Sequence, residues 1–238
     1  MTKVILTSLF CICGTILLGQ ISAADLVSKS MSYHDPGGQL AKEQFTLKLL
    51  ETRPNGADRS TKVYINQSEQ VFSIKSVRDG KKVTMQKEGE EVSFLIDDNA
   101  DLSTEQIEQY RLHPERLEFM VNYYRYLWMS PLVLKDPGTV IHDQVKKADF
   151  FGTASLEIKV TYDPAVGKDI WYFYFHPETY ALVGYRFYHD EGANDGEYIL
   201  FSGELETNGI RLPQSRKWYT HKQDRYLGED ILELLLLH

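Results

Sequence analysis

The sequence predicts a mainly β protein of the α+β class, in which a strongly curved antiparallel sheet carries one or two helices on its concave face. Two groups of short segments alternate apolar and polar residues, as strands with one buried face do. Turn-forming dipeptides such as Asp79–Gly80 and Asn208–Gly209 separate these segments. Between the groups, Pro114–Met129 repeats apolar residues at three- and four-residue steps, which predicts an amphipathic helix.

The pattern of apolar residues up to about residue 97 predicts a short helix followed by an antiparallel meander. Asp25–Tyr33 places apolar residues loosely at helical spacing and ends at the turn His34–Gly38. Phe45–Glu51 then alternates its apolar residues with Thr46 and Lys48. The predicted strands of this group are 45–51, 61–66, 71–77, 82–86 and 92–96.

Two helices are predicted between the two groups of strands. Ser103–Gln106 combines a capping hydroxyl with an acidic residue in the first turn, which is typical of a helix start. The second helix, Pro114–Met129, ends before Pro131 because proline cannot continue a helix. Its apolar stripe is broad and aromatic, so we expect it to lie against the sheet.

A second group of strands follows the turn at Asp136–Gly138. Ser155–Tyr162 alternates Leu156, Ile158 and Val160 with polar residues. The other predicted strands are 170–175, 182–188, 197–204, 210–219 and 225–232, and the run 234–237 either completes the last strand or forms an apolar tail. So many short strands predict a sheet that curls or closes, and residues 25–238 are predicted to form one domain.

The N-terminus predicts export. Lys3 is followed by the uncharged apolar run Val4–Leu18 and then by the small residues Ser22, Ala23 and Ala24, which is the pattern of a cleaved secretory signal peptide. The apolar run is short for a membrane-spanning helix. We therefore predict a signal peptide at residues 1–24, no transmembrane anchor in the mature chain, and a periplasmic or secreted location.

Cysteine content and charge exclude several classes of function. Cys11 and Cys13, the only two cysteines, lie in the predicted signal peptide, so the mature chain has neither disulfides nor thiolate chemistry. The chain has 26 Lys and Arg against 34 Asp and Glu, a net charge of −8. Because nucleic-acid binding depends on neutralising phosphates, this acidic balance argues against a nucleic-acid partner.

Aromatic residues are the first candidates for a functional site. They are concentrated on the predicted 114–129 helix and on the strands 170–175 and 182–188. One interpretation is a hydrophobic core covered on both faces of the sheet. The other is an apolar ligand cleft between a concave sheet and the helix. For the cleft we predict a lining of Tyr124, Trp128, Trp171, Phe173, Tyr185 and Phe187.

Histidine–aspartate pairs are the second candidates. Three such pairs occur, at 34–35, 142–143 and 189–190, and imidazole with carboxylate suits both metal binding and acid–base catalysis. A hydrolase would use His34, His189 and Asp190, with Asp195 or Glu197. Turn formation accounts for most of these aspartates, so we predict no catalytic residue, no metal ligand and no cofactor.

Four segments resemble one family of exported proteins of unknown function, found mainly in Bacteroidetes. The matching segments are 32–36 (SYHDP), 134–139 (LKDPGT), 160–181 and 187–200. The resemblance extends over nearly all of the mature chain and implies no activity or catalytic residue. At the level of fold, the order of strands and helix is similar to the lipoprotein-carrier fold, a half-open β-barrel with helices on its apolar concave face. The motifs of the carriers themselves are not matched.

These features together predict an exported binding or carrier-like protein that holds a lipid or another apolar ligand between a curved sheet and a helix. Two alternatives remain open from the sequence: a metal-dependent or acid–base hydrolase that uses the His-Asp loops, and an envelope scaffold without a ligand. An enzyme is the less favoured class. The sequence contains no signal for an oligomeric state.

Overall fold

The computed structural model describes residues 21–238. Three α-helices are present in this range: α1 (Ala23–His34), α2 (Thr104–Tyr110) and α3 (Pro114–Met129), with a 3-10 turn at Leu132–Lys135. The first strands are β1 (Phe45–Thr52), β2 (Arg59–Asn66), β3 (Val71–Arg78), β4 (Lys81–Glu88) and β5 (Glu91–Ile96). The later strands are β6 (Thr139–Ile141), β7 (Lys146–Phe150), β8 (Thr153–Tyr162), β9 (Ile170–Phe175), β10 (Leu182–Asp190), β11 (Asp195–Thr207), β12 (Ile210–Thr220) and β13 (Tyr226–Leu237).

All thirteen strands belong to one curved, open antiparallel sheet. Its order is β5-β4-β3-β2-β1-β13-β12-β11-β10-β9-β8-β6, and β7 pairs with β8 beside this path. The strands therefore form two meanders, and the pairing of β1 with β13, from Phe45–Leu237 to Thr52–Glu229, joins them. The predicted fold class is confirmed.

The core lies between the concave face of the sheet and the helices. Alternate residues of β1, namely Phe45, Leu47 and Leu49, are buried on this face, and Leu26 of α1 and Leu117 of α3 pack against the same cluster. Burial of this apolar area is the main driving force for the arrangement. Helix α2 begins with a complete capping box, in which Ser103 and Gln106 satisfy each other's backbone N–H groups.

The sequence misses two strands and leaves the end of a third undecided. Strand β6 has only three residues, too few to show an alternating pattern. In β7 (Lys146–Phe150), Phe150 is the one buried residue, and the four before it are three charged residues and an alanine. The run Leu234–Leu237 completes β13, where Leu235 is buried and pairs with Leu47 of β1. Four leucines in succession carry no alternation, so the pattern cannot show which of them face the core.

The predicted signal peptide falls mainly outside the described residues, which begin at Ile21. Within the structure, Ser22 caps α1 by accepting a hydrogen bond from the Asp25 N–H, and the side chain of Ala23 is buried. Cleavage after Ala24 and a single domain over 25–238 stay predictions. Within residues 21–238, no helix is both long and apolar enough to cross a membrane.

Candidate functional site: an aromatic cleft beside helix α3

A cleft of about 660 Å³ opens between α3 and the second meander on the concave side of the sheet. Its walls come from α3, from strands β9 to β12 and from the loops that flank β6 and follow β8. The lining includes Phe119, Tyr123, Tyr126, Trp171, Phe187 and Trp218, with Asp169, His189 and Glu197 at one end.

Aromatic rings form both walls of the cleft. The ring of Tyr126 on α3 lies 4.8 Å from that of Trp171 on β9, centroid to centroid. Trp171 stacks on Phe187 of β10 at 4.6 Å, because the two residues are directly paired across the strands. Tyr123 stacks on Trp218 of β12 at 6.1 Å. An apolar cavity with a few polar groups at its edge is typical of small-molecule sites.

Charged groups gather at the end of the cleft formed by β10, β11 and the loop after β8. His189 Nδ1 lies 2.8 Å from Asp169 Oδ1, and this hydrogen bond raises the pKa of His189 in spite of partial burial. Burial raises the pKa of the Glu197 carboxyl, which lies on β11 opposite Phe187. This end therefore holds two carboxylates and one imidazole.

On the other side of α3, a row of charged side chains crosses the concave face and is covered by the helix. Strand register aligns Arg216 (β12), Asp230 (β13), Glu51 (β1) and Arg59 (β2). Arg59 Nε and Nη2 donate to the two Glu51 oxygens at 2.7 and 2.8 Å, and the Tyr124 hydroxyl donates to Glu51 at 3.1 Å. We refer to these four residues as the charged row.

The other two members of the charged row, Arg216 and Asp230, are also buried. The Trp218 indole N–H donates to Asp230 at 2.9 Å, and the exposed side chain of Arg53 bonds the same carboxylate at 3.2 Å. A Cβ on Gly228 would clash with the backbone carbonyl oxygen of Thr52, so glycine is required where β13 passes the end of β1. The Arg216 guanidinium lies 3.5 Å from the ring centroid of Trp128, and burial lowers its pKa to about 10.

The structure divides the predicted lining residues between the two sides of α3. Trp171 and Phe187 line the cleft, and Phe173 and Tyr185 are fully buried beside Trp171, at 6.0 and 5.3 Å between ring centroids. Tyr124 and Trp128, in contrast, are buried against the charged row. The structure thus brings four of the six together, and two of these reach the cleft surface.

Five aromatic residues of the cleft are not among the predicted lining residues: Phe119, Tyr123, Tyr126, Tyr162 and Trp218. The first three share one stripe of α3, with steps of four and three residues, which was the available signal. Helix α3 also carries a second apolar stripe, to which Leu117, Tyr124 and Trp128 belong. Two apolar stripes on one helix cannot be assigned to core and cleft without the tertiary structure.

The His-Asp loops do not form one site. The buried His34 ring contacts the Arg211 carbonyl at 2.6 Å and accepts from the Leu182 N–H at 2.9 Å, which ties α1 to the sheet. Asp190 accepts from the Ala193 N–H in a turn. Asp195 pairs with Lys222 at 3.6 Å. Among residues 21–238, no three His, Cys, Asp or Glu side chains are arranged to hold a metal ion.

Several solved structures are similar to the chain at low sequence identity. A LolA superfamily protein of Nitrosomonas europaea is 9% identical with a TM-score of 0.55, over 92% of this chain and 94% of that one. A DUF1329 family protein of Desulfovibrio piger is 11% identical with a TM-score of 0.49, over 90% and 91%. A domain described as an outer membrane lipoprotein-sorting protein domain, from Vibrio parahaemolyticus, is 9% identical with a TM-score of 0.48, over 89% and 91%.

Family membership follows from a match over most of the chain. No curated protein matches the sequence. One family model, described as a family of unknown function, DUF6503, matches residues 3–233 and so spans both meanders and all three helices. The chain therefore belongs to the DUF6503 family.

Proposed function

We propose that this protein is an exported binding or carrier-type protein that holds a lipid or another apolar molecule in the cleft beside α3. The observation that carries the proposal is the cleft itself: about 660 Å³ of space between aromatic walls, with charged groups at one end. Each methylene that a ligand buries there contributes about 0.8 kcal/mol, or roughly fourfold in affinity.

The fold supports this proposal in a general way. A LolA superfamily protein has a similar structure, with a TM-score of 0.55 over 92% of this chain, which supports the expected lipoprotein-carrier fold. Because one fold can host unrelated functions, this likeness supports the position of the ligand, whereas its identity must come from the site. A periplasmic or secreted location agrees with the predicted signal peptide and belongs to the same proposal.

The first experiment is native mass spectrometry of protein that has been exported and purified without detergent, followed by solvent extraction. We expect a reproducible additional mass that extracts as a lipid. Intrinsic fluorescence supplies a second readout, because two of the three tryptophans, Trp171 and Trp218, line the cleft. An apo mass together with no fluorescence response to a series of fatty alcohols would contradict the proposal.

A matched pair of variants places the ligand in the cleft. Phe119 lines the cleft and is 53% exposed, whereas Phe151 is 52% exposed and stacks on Tyr198, on the other face of the sheet. We expect Phe119→Asp to weaken binding of a fatty alcohol by on the order of tenfold, since it places a charge on the apolar wall. Phe151→Asp should bind as the unmodified protein does. Equal effects of the two variants would place the ligand elsewhere.

Acid–base chemistry by His189 is the second candidate, favoured by the Asp169–His189 pair that opens on the cleft beside Glu197. A carboxylate that orients and charges an imidazole is a common catalytic arrangement. This candidate predicts slow hydrolysis of a short-chain ester that is lost in His189→Ala. Turnover that is unchanged in this variant would eliminate it.

A further inference from the structure

A group of arginines surrounds the start of α3, where Arg116 lies beside the cleft residue Phe119. It consists of Arg59 on β2, Arg78 on β3, Arg111 between α2 and α3, and Arg116 in the first turn of α3. We call these residues the arginine group. In a chain with a net charge of −8, four neighbouring cations form a distinct local environment.

Strand pairing and the turn between the helices bring the arginine group together. Thr61 of β2 pairs with Ser76 of β3, so Arg59 and Arg78, each two residues away on the same face, lie side by side. Arg78 Nη1 donates to the Tyr110 carbonyl at the end of α2 at 3.2 Å, and its Nε donates to Ser76 Oγ at 3.0 Å. The side chain of Arg78 therefore lies under the turn that leads into α3.

The arginine group contains more positive charge than its neighbours neutralise. Among the described residues, Glu51 is the carboxylate that bonds to it, and both of its oxygens are taken by Arg59. Arg78 bonds to neutral oxygens, and the half-buried Arg116 makes no ion pair with any residue of 21–238. Burial, followed by repulsion from other members of the group, lowers the pKa of both Arg78 and Arg116.

Arg116 also lies at the N-terminal end of the aromatic stripe by which α3 lines the cleft. It shares one helical stripe with Phe119, Tyr123 and Tyr126, at steps of three, four and three residues. Its guanidinium lies 4.8 Å from the ring centroid of Phe119, which in turn stacks on Tyr123 at 6.0 Å. From Arg116 to Tyr126 the stripe is about 15 Å long at 1.5 Å per residue.

We infer that the cleft selects an amphiphile with one anionic head group, carboxylate or phosphate, bound by Arg116 with Arg59 and Arg78 behind it. The chain of the amphiphile then runs along Phe119, Tyr123 and Tyr126 toward Trp171. At the opposite end, the Asp169 and Glu197 carboxyl groups accompany His189 and Lys168, so that end has no comparable excess of positive charge. This inference rests on the proposed function, since it names the class of ligand for the same cleft.

The test compares a fatty acid with the fatty alcohol of the same chain length, titrated by tryptophan fluorescence below the concentration at which either aggregates. We expect the acid to bind more tightly by on the order of tenfold, because an ion pair to Arg116 adds to the same chain burial. Arg116→Gln should remove this preference by weakening the binding of the acid to the level of the alcohol. Lys168→Gln, which removes one charge from the opposite end of the cleft, should keep the preference.

The other outcomes separate this inference from the proposed function. Acid and alcohol bound equally, or a preference lost in Lys168→Gln and kept in Arg116→Gln, would overturn the inference and leave the apolar cleft standing. Binding of neither compound would overturn both. Inorganic phosphate alone is the third probe: if it binds as tightly as the acid, the arginine group is a site for a free anion and the amphiphile assignment is wrong.

Discussion

The two sides of helix α3 show how one aromatic helix can serve two purposes. On the β1–β2 side, Tyr124 and Trp128 are fully buried, and each contacts a member of the charged row. On the β9–β12 side, Tyr123 and Tyr126 face rings across an open cleft. Both sides of α3 are rich in aromatic residues, so the two sides differ in the residues of the sheet that they face. The charged row binds the helix on one side, whereas the aromatic rings of the sheet leave a cleft on the other.

The largest effect that would test this comparison is expected from Glu51→Ala. The variant removes the carboxylate that bonds Arg59, Thr61 and Tyr124, and it leaves a guanidinium without its partner. Breaking such a pair should lower the free energy of unfolding by about 3 kcal/mol, near the low end for buried pairs because Arg59 is 33% exposed. Urea denaturation measures this loss.

The pH dependence of the same variant provides its control. Burial raises the pKa of Glu51, but the hydrogen bonds and charge of Arg59, with Thr61 and Tyr124, outweigh it and leave the pKa below its ordinary value. The ionised carboxylate therefore stabilises the fold above the unfolded-state pKa, and this contribution is lost as the pH falls through the folded-state pKa. The difference between the unmodified protein and Glu51→Ala should shrink in acid. A difference independent of pH would show that the ion pair is not its cause.

A smaller difference in stability is expected when one tyrosine hydroxyl is removed from each side of α3. Tyr124→Phe removes a hydrogen bond to a buried carboxylate and should cost about 1.5 kcal/mol in unfolding free energy, with ligand affinity unchanged. Tyr123→Phe removes a hydroxyl on the cleft side and should leave stability unchanged within about 0.5 kcal/mol. Equal losses of stability in the two variants would mean that the cleft side also anchors the helix.

The smallest effect concerns the charged end of the cleft. In Asp169→Asn the pKa of His189 should fall toward its ordinary value, because the hydrogen bond to Asp169 is the main cause of its elevation. A raised pKa stabilises the fold below the unfolded-state value, and this contribution is lost as the pH rises through the folded-state pKa. With 58% of the His189 side chain exposed, the effect on stability should be small, so NMR titration of the ring is the appropriate measurement. A pKa that does not change would show that Asp169 is not the partner in solution.

Sequence periodicity was sufficient for most of the fold. Helix α3 begins and ends where the pattern predicts, at Pro114 and Met129, and β9 has the predicted bounds Ile170–Phe175. In these segments local pattern and tertiary burial agree, so the alternation of apolar residues reports the buried face. Strand β7 was missed because most of its residues contact solvent, and only Phe150, stacked on Tyr174 at 3.9 Å, is buried.

The aromatic character of the candidate site was predictable from the sequence, whereas its individual residues and their partners were only partly predictable. Trp171 and Phe187 were identified because neighbouring strands with rings at alternate positions must share a face. His189 was paired in sequence with Asp190, whereas its partner in space is Asp169, twenty residues earlier, because strand pairing brings the end of β10 beside the loop before β9. Adjacent residues of a strand point to opposite faces, so the sequence neighbour was the poorer candidate.

The sequence by itself determined the class of the fold, the order of its main elements and the presence of an aromatic surplus on one helix and two strands. The tertiary structure alone decided which side of α3 is closed and which is open, and it alone assembled the arginine group from β2, β3 and the start of α3. The physical reason is the distance along the chain over which each kind of interaction acts. Periodicity and turn chemistry act over a few residues, whereas a cleft depends on register and curvature across the sheet that β1 and β13, at opposite ends of the chain, close together.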